Sequence, residues 1–456
     1  MLQAVSLEDM LAARERRAAV QQQLLEKYRL PLISYTLNIP GPIKDSPLIR
    51  RAFHRGKQLL YSTLAASGCP VVQEHESLAF TGCELLIAVS GSAAALKVLC
   101  QSLEEGHPLG RLFDMDVLDA GGQKLDRAQP RSCIVCGAAG RGCASRRLHS
   151  VAQLQAAVNG LMEDFFLKED SALLSSLITH ALKEEVETTP KPGLVDRDNN
   201  GSHQDMTLST FLTSADALKW FWSRCFALGH ASSTCAPEET FRLLRAEGRL
   251  AEDTMYAATG GVNTHKGAIF TFGCISGALG RLWDGSGLCR DPGLIVAECR
   301  RMSQAPLEAE LDSIRKRNKP ATAGEQLFLS LGLTGIRGEL SSGLPGVFLV
   351  ALPVFEKALA AGRSRNDAGA VALLHLIARG QDTNMIARGG PVLAAAAAEE
   401  AASLLRRRSF PTMDDIRSMD RQFISKNLSP GGCADLLAVT YFIHDLKNST
   451  DTQVGL

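Results

Sequence analysis

Residues 260–273 read GGVNTHKGAIFTFG. Two glycines, Asn263, Thr264, His265 and Lys266 crowd together just ahead of an apolar run, as in a loop whose backbone must approach something closely before it enters a buried helix. That reading decides the second half of the chain, because the segments around it repeat the same grammar. SALLSSLITHALKEEVET, TLSTFLTSADALKWFWSRCFALGH, VFLVALPVFEKALAAG, DAGAVALLHLIARG and GPVLAAAAAEEAASLLRRR are all apolar at helical spacing, and none alternates as a strand would. The second half is therefore expected to be an all-α domain. It shows no repeat at a fixed solenoid period.

Upstream the pattern differs. Between residue 31 and about residue 122, short β-branched runs (PLISYTLNI, VVQEHESLAF, CELLIAVS, RLFDMDVLDA) alternate with two long segments of near-3.6 spacing, SPLIRRAFHRGKQLLYSTLAASG and SAAALKVLCQSLEEG. The order is βαββαβ, the split βαβ arrangement of a ferredoxin-like α+β domain, with Gly82 turning the chain between the middle strands. A helix over about 151–168 and a short charged joint, KEDS, close this half. The expected domains are 1–168 and 169–456.

The chain has 456 residues and a formal net charge of zero, which excludes a large basic nucleic-acid surface and leaves any anionic ligand to be gripped locally. The N-terminus reads as an amphipathic helix and not a signal peptide. The longest apolar run, GLPGVFLVALPVF, is too short to span a bilayer and contains Pro345 and Pro353. With twelve scattered cysteines, these features point to a reduced cytoplasmic protein with no membrane partner.

In the helical half, five clusters combine glycine with Lys, Arg, Asn, Asp or His: TTPKPGLVDRDNNGSHQDM, TGGVNTHKGAIF, TGIRGELSSGLPG, ARGQDTNMIARGG and NLSPGGCADLLA. They read as loops between helices. One such cluster is an ordinary loop; five in one domain suggest helix N-termini and cations converging on phosphates, with Asp196, Asp205, Glu339, Asp382 and Asp435 available to hold Mg²⁺. None has the spacing of a P-loop. In the first half, Asp114 and Asp116 stand two apart on a strand, so both carboxylates face one way, as a metal-bridged phosphoryl centre requires. Arg111, and Lys44, Asp45, Arg50 and Arg51 in GPIKDSPLIRR, supply charges suited to a polyphosphate. In RSCIVCGAAGRGCASRRLHS, Cys133, Cys136, Cys143 and His149 offer three thiolates and an imidazole for a structural Zn²⁺; the plainer reading is reduced cysteines in a basic loop.

Together these motifs resemble a fusion. Residues 7–161, with GPIKDS, HPLGRLFDMDV and RSCIVC, resemble the apo-citrate lyase phosphoribosyl-dephospho-CoA transferases. Residues from 173 onward, with TPKPGLVD, GGVNTHKGAIF, GIRGE, DTNMIARGG and SPGGCADLLA, resemble the triphosphoribosyl-dephospho-CoA synthases. The resemblance implies that the 2′-hydroxyl of 3′-dephospho-CoA displaces adenine from the ribose of ATP, leaving the triphosphate on the product. The product is then attached to a serine of the citrate lyase acyl carrier protein (the γ subunit) with loss of pyrophosphate. Asn263, His265 and Lys266, with Lys191, Arg337, Asn384 and Arg388, are expected at the nucleotide site. The hydroxyl's base is left open among Asp196, Glu185 and His265. Asp114 and Asp116, with Lys44 and Arg111, are expected to serve the transfer with Mg²⁺. Two rivals remain: the same chemistry serving malonate decarboxylase, and a nucleotide-binding module without turnover.

Overall fold

The first helix starts where Ser6 and Asp9 cap each other, the Asp9 amide donating to Ser6 Oγ (3.1 Å) and the Ser6 amide to Asp9 Oδ2 (2.9 Å). The computed structural model describes residues 3–127, 131–138, 143 and 146–449. It divides into two units, Met1–Lys168 with Asp284–Gly287, and Glu169–Trp283 with Leu288–Leu456.

The first unit mixes strands and helices. After α1 (Leu7–Tyr28) come β1 (Leu32–Leu37), α2 (Pro47–Ala66), β2 (Val71–Ala79), β3 (Gly82–Val89), α3 (Ala93–Gly106) and β4 (Phe113–Leu118). The sheet order is β2-β3-β1-β4, and every neighbouring pair is antiparallel. On one face Tyr35 stacks on Phe53 of α2 with ring centroids 4.9 Å apart and meets Phe113 edge-on. The Tyr35 hydroxyl donates to the Phe53 carbonyl (3.2 Å), an approach that works because Gly56 has no Cβ to block it. On the other face, register sets Asp114 opposite Thr36 and Asp116 opposite Ser34. β4 is an edge strand, so these carboxylates stay partly open to solvent.

The helix expected over about 151–168 does not end at the charged joint. A single helix, Val151–Glu187, runs through it. Met162, Phe166, Asp170, Leu174 and Ile178 are all buried at four-residue spacing, so the stripe crosses KEDS uninterrupted. Asp170 belongs to that stripe because the Trp283 indole N–H donates to it at 2.6 Å.

The described residues of the second unit form helices and no strands. Its centre is the helix Lys266–Leu282, buried along most of its length, which crosses Lys219–Ala231 closely. A Cβ on Gly229 would strike the Gly277 carbonyl and one on Gly280 the Phe226 carbonyl, so only glycine permits this crossing. The distant ends of the unit are joined by Thr188 Oγ1 and the Tyr441 hydroxyl, 2.7 Å apart, and by the Gly193 amide donating to Asp420 (2.9 Å). Among the described residues no single helix is long and apolar enough to cross a membrane.

Candidate functional site

The glycine-polar clusters of the second unit meet around a cavity of about 800 Å³. Lys191, Asn263, His265, Lys266, Arg337, Asn384 and Arg388 all line it. Two clusters read as loops prove to be helix starts. Asn384 lies in the first turn of Thr383–Arg407 and Arg337 in Gly335–Ser341. For the first of these the reason is Asp382, whose carboxylate accepts from the amides of Met385 and Cys433 (both 2.8 Å) and so caps Thr383–Arg407 together with Gly431–Asn448. The starts at Lys266, Thr383 and Gly431 all border the cavity and turn their positive ends toward it.

The cations around this space differ in how they are held. Lys191 is fully buried with Nζ 2.5 Å from Glu185 Oε1. Lys266 is half exposed and pairs with Glu252 (2.7 Å), while Arg337 pairs with Glu310 (3.2 Å). Arg388 donates to the Ser202 carbonyl (2.9 Å) and lies 3.2 Å from His203 Nδ1; among the described residues it forms no ion pair with a carboxylate. Asn263 Oδ1 accepts from the Lys266 amide (3.3 Å), closing the loop onto the helix start.

His265 is buried with Nδ1 2.8 Å from Ser214 Oγ, which accepts from Thr264 Oγ1 at 2.8 Å. Among the described residues its Nε2 has no hydrogen-bond partner. Burial, reinforced by nearby Lys191, pushes the imidazole down to about 3, so it is neutral at physiological pH. Asp435 sits on the wall beside Gly267, where a Cβ would collide with its carboxylate. Burial, then Glu185 and Asp382, push its carboxyl well above the ordinary range, and the Ala268 amide is the backbone donor that opposes this. Glu185 is likewise raised by burial against the pull of Lys191.

Asp196 is not brought to the cavity. Its two oxygens accept from Thr189 Oγ1 and from the amides of Lys191, Asp198 and Asn199 at 2.8–3.0 Å, so it shapes its own loop. Glu339 binds Arg379 (2.6 Å) and the Gly346 amide, and Asp205 is exposed. Sequence reasoning passed over Arg245, Arg249 and Glu252, which reach the cavity from the helix Pro237–Thr259. Their spacing of four and three residues, just before the loop at 260, was the available signal.

In the first unit Asp114 and Asp116 share the outer face of β4. Asp114 lies 3.5 Å from Arg131 and Asp116 lies 2.5 Å from Lys124. The expected cations have other partners: Arg111 Nε donates to the Ser132 carbonyl (2.8 Å) and Lys44 to the Ile39 carbonyl. The ligand atoms of Cys133, Cys136, Cys143 and His149 all lie within 4.8 Å of one another. Residues 139–142 and 144–145 of that motif fall outside the described residues.

Comparison with known proteins accounts for both units. Residues 5–165 match the family model described as apo-citrate lyase phosphoribosyl-dephospho-CoA transferase, and residues 171–453 match ATP:dephospho-CoA triphosphoribosyl transferase. The chain is similar to Protein CitXG of Haemophilus influenzae (35% identical, covering 98% of this chain and 97% of that protein). It is also similar to Protein CitXG of Leuconostoc mesenteroides subsp. cremoris (30%, 98% of each). Its second part is similar to the 2-(5''-triphosphoribosyl)-3'-dephosphocoenzyme-A synthase of Klebsiella pneumoniae (39%, covering 59% of this chain and 89% of that protein). The chain belongs to the family of bifunctional transferases that join triphosphoribosyl-dephospho-CoA synthesis to phosphoribosyl-dephospho-CoA transfer on one polypeptide.

Proposed function

We propose that the cavity of residues 169–456 is the synthase site, that residues 1–168 form the transferase domain, and that the acceptor is a serine of the citrate lyase acyl carrier protein. One observation carries the synthase assignment: Asn263, His265, Lys266, Arg337, Asn384 and Arg388, drawn from separate clusters, line the same cavity. Lys266 and Arg388 bind the triphosphate, Lys266 exchanging Glu252 for phosphate and Arg388 already lacking a carboxylate partner. Neutral His265 hydrogen-bonds the ribose or adenine through Nε2, oriented by Ser214.

Of the groups considered as base, Asp196 is saturated by its own loop, Glu185 is held by Lys191, and His265 is too acidic as an imidazolium to draw a proton from a hydroxyl. Asp435 takes that role, because its carboxylate lies on the cavity wall beside Gly267, next to the loop that carries Asn263, His265 and Lys266. The attack forms a bond from the 2′-oxygen of dephospho-CoA to C1 of the ribose and breaks the bond from C1 to adenine, whose nitrogen keeps the bonding pair, and the hydroxyl proton passes by way of Asp435 to the departing adenine.

In the first unit, the sheet order β2-β3-β1-β4 with antiparallel neighbours supports the ferredoxin-like reading. Asp114 and Asp116 offer hard oxygen ligands on one accessible face, a donor set that fits Mg²⁺. When bound there, the ion would neutralise charge on the phosphates of the transferred group. Arg131 and Lys124 hold these two carboxylates in place on that face.

The test is incubation of the full chain with ATP, Mg²⁺, dephospho-CoA and apo carrier protein, following adenine by chromatography and the carrier by mass spectrometry. Asp435→Asn should abolish adenine release yet still modify the carrier when ready-made triphosphoribosyl-dephospho-CoA is supplied. Normal adenine release by this variant would reject Asp435 as the base, and an unmodified carrier with the unaltered chain would reject the acceptor.

A further inference from the structure

Cys133, Cys136, Cys143 and His149 are not needed for either reaction as written, yet they converge. Cys136 Sγ lies 3.5 Å from Cys143 Sγ and 3.4 Å from His149 Nε2, and the ligand atoms of the four all fall within 4.8 Å of one another. A tetrahedral zinc with metal–sulfur bonds of about 2.3 Å and metal–nitrogen bonds of about 2.0 Å requires ligand–ligand edges of roughly 3.5–3.8 Å. Two edges of such a tetrahedron therefore already stand near their required length. The backbone agrees with this. The Gly137 amide donates to the Cys133 carbonyl (2.9 Å), and the amides of Val135 and Cys136 point at the Cys133 sulfur, so the C-x-x-C turn presents both thiols to one point. Gly137 turns away at φ 69°, a conformation that suits glycine.

Charge also selects the ligand. Three thiolates and one Zn²⁺ leave a single negative charge, and Arg146 and Arg147 flank the cluster in sequence to balance it. No disulfide links these cysteines.

The same segment is fastened to the outer face of β4. The Ser132 carbonyl accepts from Arg111 Nε, and Arg131 reaches both Glu104 and Asp114. We propose that Cys133, Cys136, Cys143 and His149 bind one Zn²⁺, and that this zinc holds the 131–138 segment so that Arg131 stays against Asp114. The second half of this statement rests on the transferase reading of Asp114.

The test uses the full chain purified under reducing conditions and supplied with Zn²⁺, then freed of loosely bound metal. Elemental analysis should find about one zinc per chain, and Co²⁺ substitution should give the absorption bands of a tetrahedral thiolate site. Cys136→Ser and His149→Ala should each lose the metal, whereas Cys235→Ser, an exposed cysteine outside the cluster, should keep it. Absence of stoichiometric zinc in the unaltered chain, retention of zinc by Cys136→Ser, or a Cys136–Cys143 disulfide in the reduced protein would each overturn the site. Stripping the zinc should slow transfer from supplied triphosphoribosyl-dephospho-CoA by about tenfold or more while adenine release is unchanged. Bound zinc whose removal leaves transfer untouched would overturn the link to Arg131. An Asp114→Asn chain that transfers normally would instead reject the reading of Asp114 and leave the metal site standing.

Discussion

Lys191 Nζ lies 2.5 Å from Glu185 Oε1, and both side chains are buried on the wall of the cavity in the second unit. Two opposite charges removed from water are held by each other, so removing one strands its partner. Lys191→Ala should destabilise the synthase unit by about 3–5 kcal/mol in urea unfolding, whereas the double variant Lys191→Met, Glu185→Leu should recover most of that loss. Adenine release should be absent from both. A single variant that loses less than about 1 kcal/mol would show that the pair is open to water.

His265 makes the same unit sensitive to acid. Its folded imidazole titrates near 3, below the roughly 6.5 of an unfolded histidine, so between these values the unfolded chain binds the extra proton. Stability therefore falls as pH drops from about 6.5 toward 3, and above 6.5 this contribution is fully present. His265→Gln should flatten that slope in thermal unfolding followed across pH, and an unchanged slope would mean that the ring is not buried neutral.

Lys266 tests the phosphate grip. Its pair with Glu252 is half exposed, so Lys266→Ala should change stability by no more than about 1 kcal/mol. Loss of a charge-assisted contact to the triphosphate should cut adenine release at limiting ATP by roughly tenfold to a hundredfold. Carrier modification from supplied triphosphoribosyl-dephospho-CoA should survive. Near-normal release at limiting ATP would remove Lys266 from the site.

Asp114→Asn and Asp116→Asn should produce the opposite phenotype. Each loses an accessible oxygen ligand and an exposed ion pair, so folding should hardly change. Carrier modification should stop while adenine accumulates at the usual rate, as mass spectrometry and chromatography of one reaction would show. Normal modification by either variant would move the metal elsewhere.

The letters of the chain announced its loops better than its surfaces. Glycine beside Asn, His or Lys marks backbone that must turn or approach closely, and those clusters do border one cavity. They misled where a polar residue serves the chain itself. Asp196 looks like any catalytic aspartate in sequence, but its four donors come from its own loop. Asp170 looked like part of a joint, because sequence does not reveal that the Trp283 indole waits to bond it within a buried stripe. Arg249 and Glu252 were passed over, since only tertiary packing sets that helix face beside the cavity. The strand order β2-β3-β1-β4 likewise depends on pairings that no single segment encodes.

The hydrogen bond between Thr188 and Tyr441 joins residues 253 positions apart. Because Lys191 and Asp435 both line the cavity, its wall is incomplete until that distance has been closed. Chain entropy makes closures of this span slow relative to local helix formation, although their cost rises only logarithmically with length. During refolding, helical content should therefore return well before the ability to bind ATP. In the interval the glycine-rich helix crossings would already be formed around a pocket that has no back wall.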